Sequence, residues 1–458
     1  MTSTLNGFLT QYPSAQAPKG QTPKAQARAQ SAELSSLGLF LAEHAAPQIP
    51  KAQARVPRQD ALNSDRLVIL RMGLGRDSVA MMILLSEGAL VVDGRTIGPD
   101  EVDAIVFTDP GYEWPATYAV KERVDAFAKA MGIPFLAQEK PPAEGPTGWI
   151  SWLQERTHRK AALQAELGKK VTLEYEERPW QASAPPLPVR NPADYGKLLT
   201  AREIKVLRAR ADSGYYHLWP PILETYQSRN MVIKMADAGC TLNHKINPNR
   251  MLLNDMAAIR FGVESNTLWS SAVVRGKRPA HLVLLGIAAD EVGRLKKLDS
   301  EKAPKYEINA YPLIEMGIGR KDETPILKRH GFDDVQKSGC MMCKFQGADW
   351  YWALSVLSPE IYETVTEYEE NAIRAAMAEK RPLSNALLLG PGPKYKRASF
   401  PTGRLQEHVD LWRQEHPEAT VASVLANEYK SCSSRYSEKG SASRLPAPAR
   451  CRMCGEAG

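Results

Sequence analysis

Residues 66–78, RLVILRMGLGRDS, constrain this chain more than any other stretch. An apolar run ends in Gly73 and Gly75, and residues 79–85, VAMMILL, read as a helix. A strand that feeds a glycine turn and then a helix is an anion-binding arrangement. The glycines let backbone approach a phosphate closely, and the helix start offers unpaired N–H groups and the positive end of its dipole. Arg76, Asp77 and Ser78 open the helix, where Asp77 and Ser78 can cap it or help hold a phosphate or a magnesium ion. The pattern lacks the Gly-Lys-Ser/Thr of a Walker loop and is not the dinucleotide G-x-G-x-x-G.

The rest of the chain repeats the strand-then-polar-turn theme. Residues 102–107, VDAIVF, read as a buried strand ending in Thr108, Asp109, Pro110, Gly111 and Glu113. Helical spacing over 117–131 and a strand over 133–137 follow, so strand and helix alternate as in a doubly wound α/β sheet. Residues 281–285, HLVLL, form another apolar strand that opens into Gly286, Asp290, Glu291 and Arg294. Acidic and basic groups at the carboxyl ends of parallel strands lie where open α/β sheets bind ligands. Helices are expected at 230–238, at 252–261, near 321–330 and, past an aromatic-rich start, through 380.

These elements divide the chain. Residues 1–64, rich in Ala, Gln, Pro and Lys, read as a disordered N-terminal arm. Residues 65–310 read as the α/β domain that carries the anion-binding turn, with an insertion at about 139–226 over the sheet's ligand edge. That insertion carries Trp149, Trp152, Trp180, Trp219 and a basic run over 197–210. Such a mixture suits a polynucleotide, and equally an aromatic subdomain with a solvated basic helix. Residues 311–390 read as a C-terminal helical module containing a C-x-x-C, and 391–458 as a loose cysteine-containing tail.

No run approaches eighteen apolar residues, and the first thirty are polar, so a cytoplasmic protein with no membrane partner is expected. The net charge of +7 permits a nucleic-acid partner and fits a solvated surface as well. Cys240 stands alone in sequence, Cys340 and Cys343 form a C-x-x-C, and Cys432, Cys451 and Cys454 lie near the end; without a secretion signal such clusters point to metal or redox chemistry rather than structural disulfides.

Several of these segments, in order, resemble one family. The Gly-x-Gly-x-Asp-Ser turn is similar to the PP-loop Ser-Gly-Gly-x-Asp-Ser, with Gly73 in place of the serine and Leu74 in place of the first glycine. The segment from Phe107 to Thr117 looks like an ADTG-x-E-x-P-x-T motif. Cys240 and Thr241 with Lys245, Ile246 and Pro248 match a Cys-Thr-x-x-x-Lys-Ile-x-Pro motif, and Gly286 with Asp290, Glu291 and Arg294 a Gly-Ile-x-x-Asp-Glu-x-x-Arg motif. Tyr311, Pro312, Leu313, Arg320, Ser338, Cys340, Cys343 and Trp350 are similar to the C-terminal module of the same group. Together they resemble phosphoadenosine phosphosulfate reductase-like proteins of the adenine nucleotide alpha hydrolase superfamily, of phage and bacterial type.

The resemblance implies a nucleotide site for ATP and magnesium. Gly73, Gly75, Arg76, Asp77, Ser78, Glu113, Gly286, Asp290 and Glu291 would bind it, and Asp77, Ser78, Asp109 and Arg294 would act in catalysis. It also implies ATP-dependent adenylation with sulfur transfer to a tRNA, DNA or small-molecule acceptor, from a sulfur donor that the residues do not name. Sulfonucleotide reduction stands behind it, because the reductases' C-terminal Glu-Cys-Gly-x-His is not matched by Cys454-Gly455-Glu456-Ala457-Gly458, and a non-catalytic nucleotide-binding module is the other alternative, because the loop lacks the usual serine and first glycine. Cys240, Cys340 and Cys343 could hold a [4Fe–4S] cluster with one open iron, or zinc with His244 as the nearest fourth ligand, or no metal.

Overall fold

A computed structural model describes residues 62–140, 146–169, 171, 184–233, 239–264, 266–295, 306–343, 346–389 and 403–425. The expected N-terminal arm (residue 62 onward apart), Trp149 as a side chain, Trp180 and the three tail cysteines lie outside them.

Strand β1 (Val68–Met72) leads into helix α1 (Arg76–Ser86). A hairpin of β2 (Leu90–Val92) and β3 (Arg95–Ile97) follows, turning at Asp93 and Gly94, both left-handed. Next come β4 (Ala104–Thr108), α2 (Pro115–Ala130), β5 (Phe135–Gln138) and α3 (Pro146–Leu167). Helices α4 (Ala201–Asp212), α5 (Ile222–Gln227), α6 (Asn247–Phe261) and α7 (Asn266–Val274) precede β6 (His281–Leu285) and β7 (Glu307–Ala310). Helices α8 (Arg320–Arg329), α9 (Ala348–Leu357), α10 (Pro359–Ala378) and α11 (Leu405–Glu415) complete the set used below.

Five strands form one all-parallel sheet in the order β5-β4-β1-β6-β7. Alternation along each strand divides a nearly continuous apolar sequence between two cores. Val68, Leu70, Met72, Ile105, Phe107, Leu282 and Leu284 face one side with α1 and α2, while Ile69, Val106 and Val283 face the other with α4, α6 and Trp269. Fully burying each large aliphatic side chain contributes about 1.5–3 kcal/mol, which is why a sheet covered on both faces tolerates so little polarity. Arg71 is accommodated because its Nε donates to Asn249 Oδ1 at 3.0 Å.

The chain adds β4 and β5 on one side of β1, then β6 and β7 on the other. From β1 and from β6 the chain proceeds toward opposite edges of the sheet, and the place between these two strands is the switch point where doubly wound folds bind ligands. Among the described residues no helix is long and apolar enough to cross a membrane.

The structure differs from the sequence reading in several places. Residues 230–233 are not helical, because Asn230 takes a left-handed φ of 49° just past α5, and 234–238 lie outside the described residues. The stretch read as an insertion over the ligand edge supplies part of the second helical layer, through Leu207, Ala211 and Tyr216. Three of the five cations in its basic run are paired within the chain: Lys197 with Asp194, Arg208 with Asp125 and Arg210 with Asp255. The long C-terminal helix is broken at Ser358 and Pro359. Part of the supposedly loose tail packs: Leu405, Val409 and Val424 join Trp350, Tyr351 and Tyr368 in a third core. The buried Glu369 carboxylate ties that module, accepting the N–H groups of Leu388 at 2.7 Å and Leu405 at 2.6 Å.

Candidate functional site

The turn after β1 is held by Ser78. Its hydroxyl donates to the Gly75 carbonyl at 2.9 Å and accepts the Gly73 N–H at 3.3 Å, so Ser78 folds the loop onto α1 rather than capping the helix. Gly75 is the residue before the first helical one, and no side chain caps it. The first N–H groups of α1 are therefore left facing the switch point, as an anion requires. Leu74 has a φ of 58°, in the left-handed region that favours glycine, while its side chain is buried in the first core and anchors the turn.

The β6 loop meets this turn directly. Asp77 Oδ2 accepts the Ala288 N–H at 3.3 Å, and a Cβ on Gly286 would lie 2.8 Å from the Ser78 nitrogen. Asp290 and Glu291 lie on the short helix Ala289–Arg294, with Asp290 exposed and Glu291 paired to Arg320. Arg294 ends that helix, and its side chain lies outside the described residues.

Helix α8 adds residues that the sequence did not single out. Arg76 donates to Thr324 Oγ1 at 2.7 Å and sits 3.7 Å from Glu323. Burial, then the neighbouring Asp77 charge, pushes the Glu323 carboxyl up to about 8 against the opposing pull of Arg76 and Arg320. Neither Glu323 oxygen has a hydrogen-bond partner among the described residues. No local signal marks Glu323, because its position depends on α8 lying along α1.

A second group forms at the end of β4. Asp109 accepts the Gly111 N–H at 2.8 Å and the Tyr118 hydroxyl at 3.0 Å, and burial pushes it up to about 6. Tyr112, left-handed at φ 60°, sends its hydroxyl to Glu224 at 2.7 Å. Glu113 is fully buried and receives Lys245 Nζ at 2.7 Å. Burial would lower the Lys245 ammonium, but Glu113 and the nearby thiols hold it well above its ordinary value.

The C-x-x-C segment pairs with this strand end. Glu113 and Cys340 form an antiparallel bridge, the Trp114 N–H donates to the Gly339 carbonyl at 3.1 Å, and the Met341 N–H donates to Tyr112 at 2.8 Å. Cys340 Sγ lies 3.8 Å from Glu113 Oε1. Burial and then Glu113 push the Cys340 thiol well up, Lys245 opposes them, and the charges of Cys343 and Cys240 add to the rise. Cys240 and Cys343 pack on the same aromatic core as Cys340. The three predicted thiols thus share one neighbourhood, with a cation among them.

Three thiols are suitable donors for iron or zinc, but among the described residues no group of three or more Cys, His, Asp or Glu side chains is arranged to hold a metal ion. His244, the nearest candidate for a fourth ligand, is buried with Lys140 Nζ 3.5 Å from its Nδ1. No family model matches the chain, and neither does any curated protein or solved structure.

Proposed function

We propose that the chain is an ATP-dependent adenylating enzyme of the adenine nucleotide alpha hydrolase type. The observation that supports this most is the uncapped start of α1 behind a Gly-Leu-Gly turn, set against the β6 loop at the switch point of a parallel sheet. The loop amides would take the phosphates of ATP, and Arg76 would neutralise their charge. Asp77 would hold the β6 loop in register through the Ala288 N–H. Asp109, at the adjoining strand end, would lie toward the nucleoside side, and the fully buried Glu113 would act there through Lys245.

In the reaction, an acceptor oxygen attacks the α-phosphorus and the bond to the β-phosphate breaks. The products are an acceptor–AMP ester and pyrophosphate. Negative charge grows on the departing pyrophosphate, and donors fixed before the reaction stabilise it without reorganising. Magnesium accompanying ATP would add charge neutralisation, held by one or two carboxylates such as Asp77 and Asp290 together with the phosphates.

The test is calorimetry with a non-hydrolysable ATP analogue, followed by exchange of labelled pyrophosphate into ATP in the presence of cell extract. The wild type should bind, and Asp77→Ala should bind at least about tenfold more weakly. Equal binding by both proteins would remove the assignment of the loop. Binding without exchange under any acceptor condition would leave a nucleotide-binding module.

The thiol neighbourhood favours a second step, sulfur transfer. A sulfide-level nucleophile from an external donor attacks the adenylated carbon of a base or metabolite, or the adenylated phosphorus of a backbone, forming the C–S or P–S bond as AMP leaves. Cys340 and Cys343, beside Lys245, would line the approach of that nucleophile and form no bond to it. The acceptor classes consistent with this chemistry are a nucleic-acid base or backbone, tRNA or DNA, and a small metabolite.

A further inference from the structure

Gly73 and Gly75 are not glycine because of their backbone angles. Neither has a positive φ, and Gly75 sits at φ −99° and ψ 173°, extended backbone open to any residue. What excludes a side chain there is Ser338. A Cβ on Gly75 would lie 2.8 Å from both the amide nitrogen and the hydroxyl oxygen of Ser338, and a Cβ on Gly73 would lie 3.2 Å from the same hydroxyl. The loop is stripped of side chains where this one serine is laid against it.

Ser338 is held there by pairing further along its own segment. Gly339, Cys340 and Met341 make the three backbone contacts to residues 112–114 described above. One short strap therefore runs from the turn after β1 to the end of β4. Ser338 is half-buried, and among the described residues neither its N–H nor its hydroxyl has a hydrogen-bond partner. Two donors without a partner among the described residues, set against an uncapped helix start, are available to a bound phosphate oxygen.

We infer that Ser338 completes the phosphate cradle: its N–H and hydroxyl donate to the phosphate oxygens bound at the Gly73–Gly75 turn, so that the C-terminal module closes the site. This rests on the nucleotide reading above and adds a binding residue to it. The geometry also gives a reciprocal prediction. A serine at residue 73 would project toward the space that the Ser338 hydroxyl fills, so the two hydroxyls are alternative occupants of one place.

The experiment measures binding of the magnesium complex of a non-hydrolysable ATP analogue, and of pyrophosphate, by calorimetry on the full chain. It compares the wild type with Ser338→Ala, Ser338→Gly and the double variant Gly73→Ser/Ser338→Gly, each checked by thermal unfolding. Ser338→Ala and Ser338→Gly should weaken both ligands about tenfold with the unfolding midpoint retained, and the double variant should recover most of the loss. Equal or tighter binding by Ser338→Ala in a protein whose wild type binds would overturn the inference and make Ser338 a filler or plug, leaving the nucleotide site intact. A wild type that binds neither ligand would remove the nucleotide reading and this inference with it.

Discussion

Gly286 faces Ser78 so closely that a Cβ at residue 286 would lie 2.8 Å from both the nitrogen and the Cα of Ser78. The contact is with backbone, so no side-chain rotation can relieve it. Gly286→Ala should therefore push the β6 loop away from α1, destabilising the protein by about 1–3 kcal/mol and weakening nucleotide binding together. Thermal unfolding and calorimetry check this; an alanine variant with unaltered midpoint and affinity would show that the two loops are not in register as described.

Leu74 offers a test of how the turn is maintained. Its left-handed backbone costs about 1–2 kcal/mol for a residue with a Cβ, and its buried side chain offsets that cost. Leu74→Ala should lose about 2–5 kcal/mol, since the strain stays and the packing goes. Leu74→Gly loses the same packing but relieves the strain, so it should be the more stable of the two by about 1 kcal/mol. Denaturant unfolding decides the order, and an alanine variant more stable than the glycine variant would rule out a strained turn.

The Glu113–Lys245 pair should behave as a unit. Removing the cation alone with Lys245→Met leaves a fully buried carboxylate without its ion partner. Because Lys245 itself is partly exposed, the expected loss is about 2–3 kcal/mol, below that of a wholly buried pair. Adding Glu113→Gln should restore much of it. Additive losses in the double-mutant cycle would mean that the two groups are not coupled.

Glu323 gives the pH dependence a sign. Its carboxyl ordinarily titrates near 4.5 and is pushed up to about 8 in the folded chain, so the native state holds the proton more tightly than the unfolded state between those values. Stability from this group is present at the acid end of that interval and is lost as pH rises through it. Glu323→Gln should flatten this part of the profile and raise the unfolding midpoint relative to wild type at about pH 8.5. Identical midpoint profiles for the two proteins would place the buried carboxyl in ordinary solvent.

The proposed sulfur-transfer step should separate from the proposed adenylation at the cysteines. Cys340→Ala and Cys343→Ala should retain pyrophosphate exchange and lose sulfur incorporation into the acceptor. Loss of both activities with the fold preserved would tie the thiols to nucleotide binding instead. Anaerobic purification with iron, labile-sulfide and zinc analysis shows whether Cys240, Cys340 and Cys343 draw together around a metal.

The sequence by itself determined the local parts. Strand runs near 68–72, 104–108 and 281–285, the glycine turn, and acidic residues just past the strand ends were legible because hydrophobic period and turn chemistry act over a few residues. Strand β7 and the β2–β3 hairpin escaped notice: three- and four-residue strands such as Glu307–Ala310 carry too little periodicity. Cys240, Cys340 and Cys343 were singled out as a set, and the fold brings them to one core. What only the tertiary structure decided was who meets whom. Cys340 reaches Glu113 across 227 positions of sequence, Ser338 lies on Gly75, and Glu323 is buried beside Asp77. These contacts depend on the sheet order and on the packing of α8 and the strap against α1 and β4. No short stretch of sequence encodes such pairings, because their free energy comes from surfaces that exist only after the chain has folded.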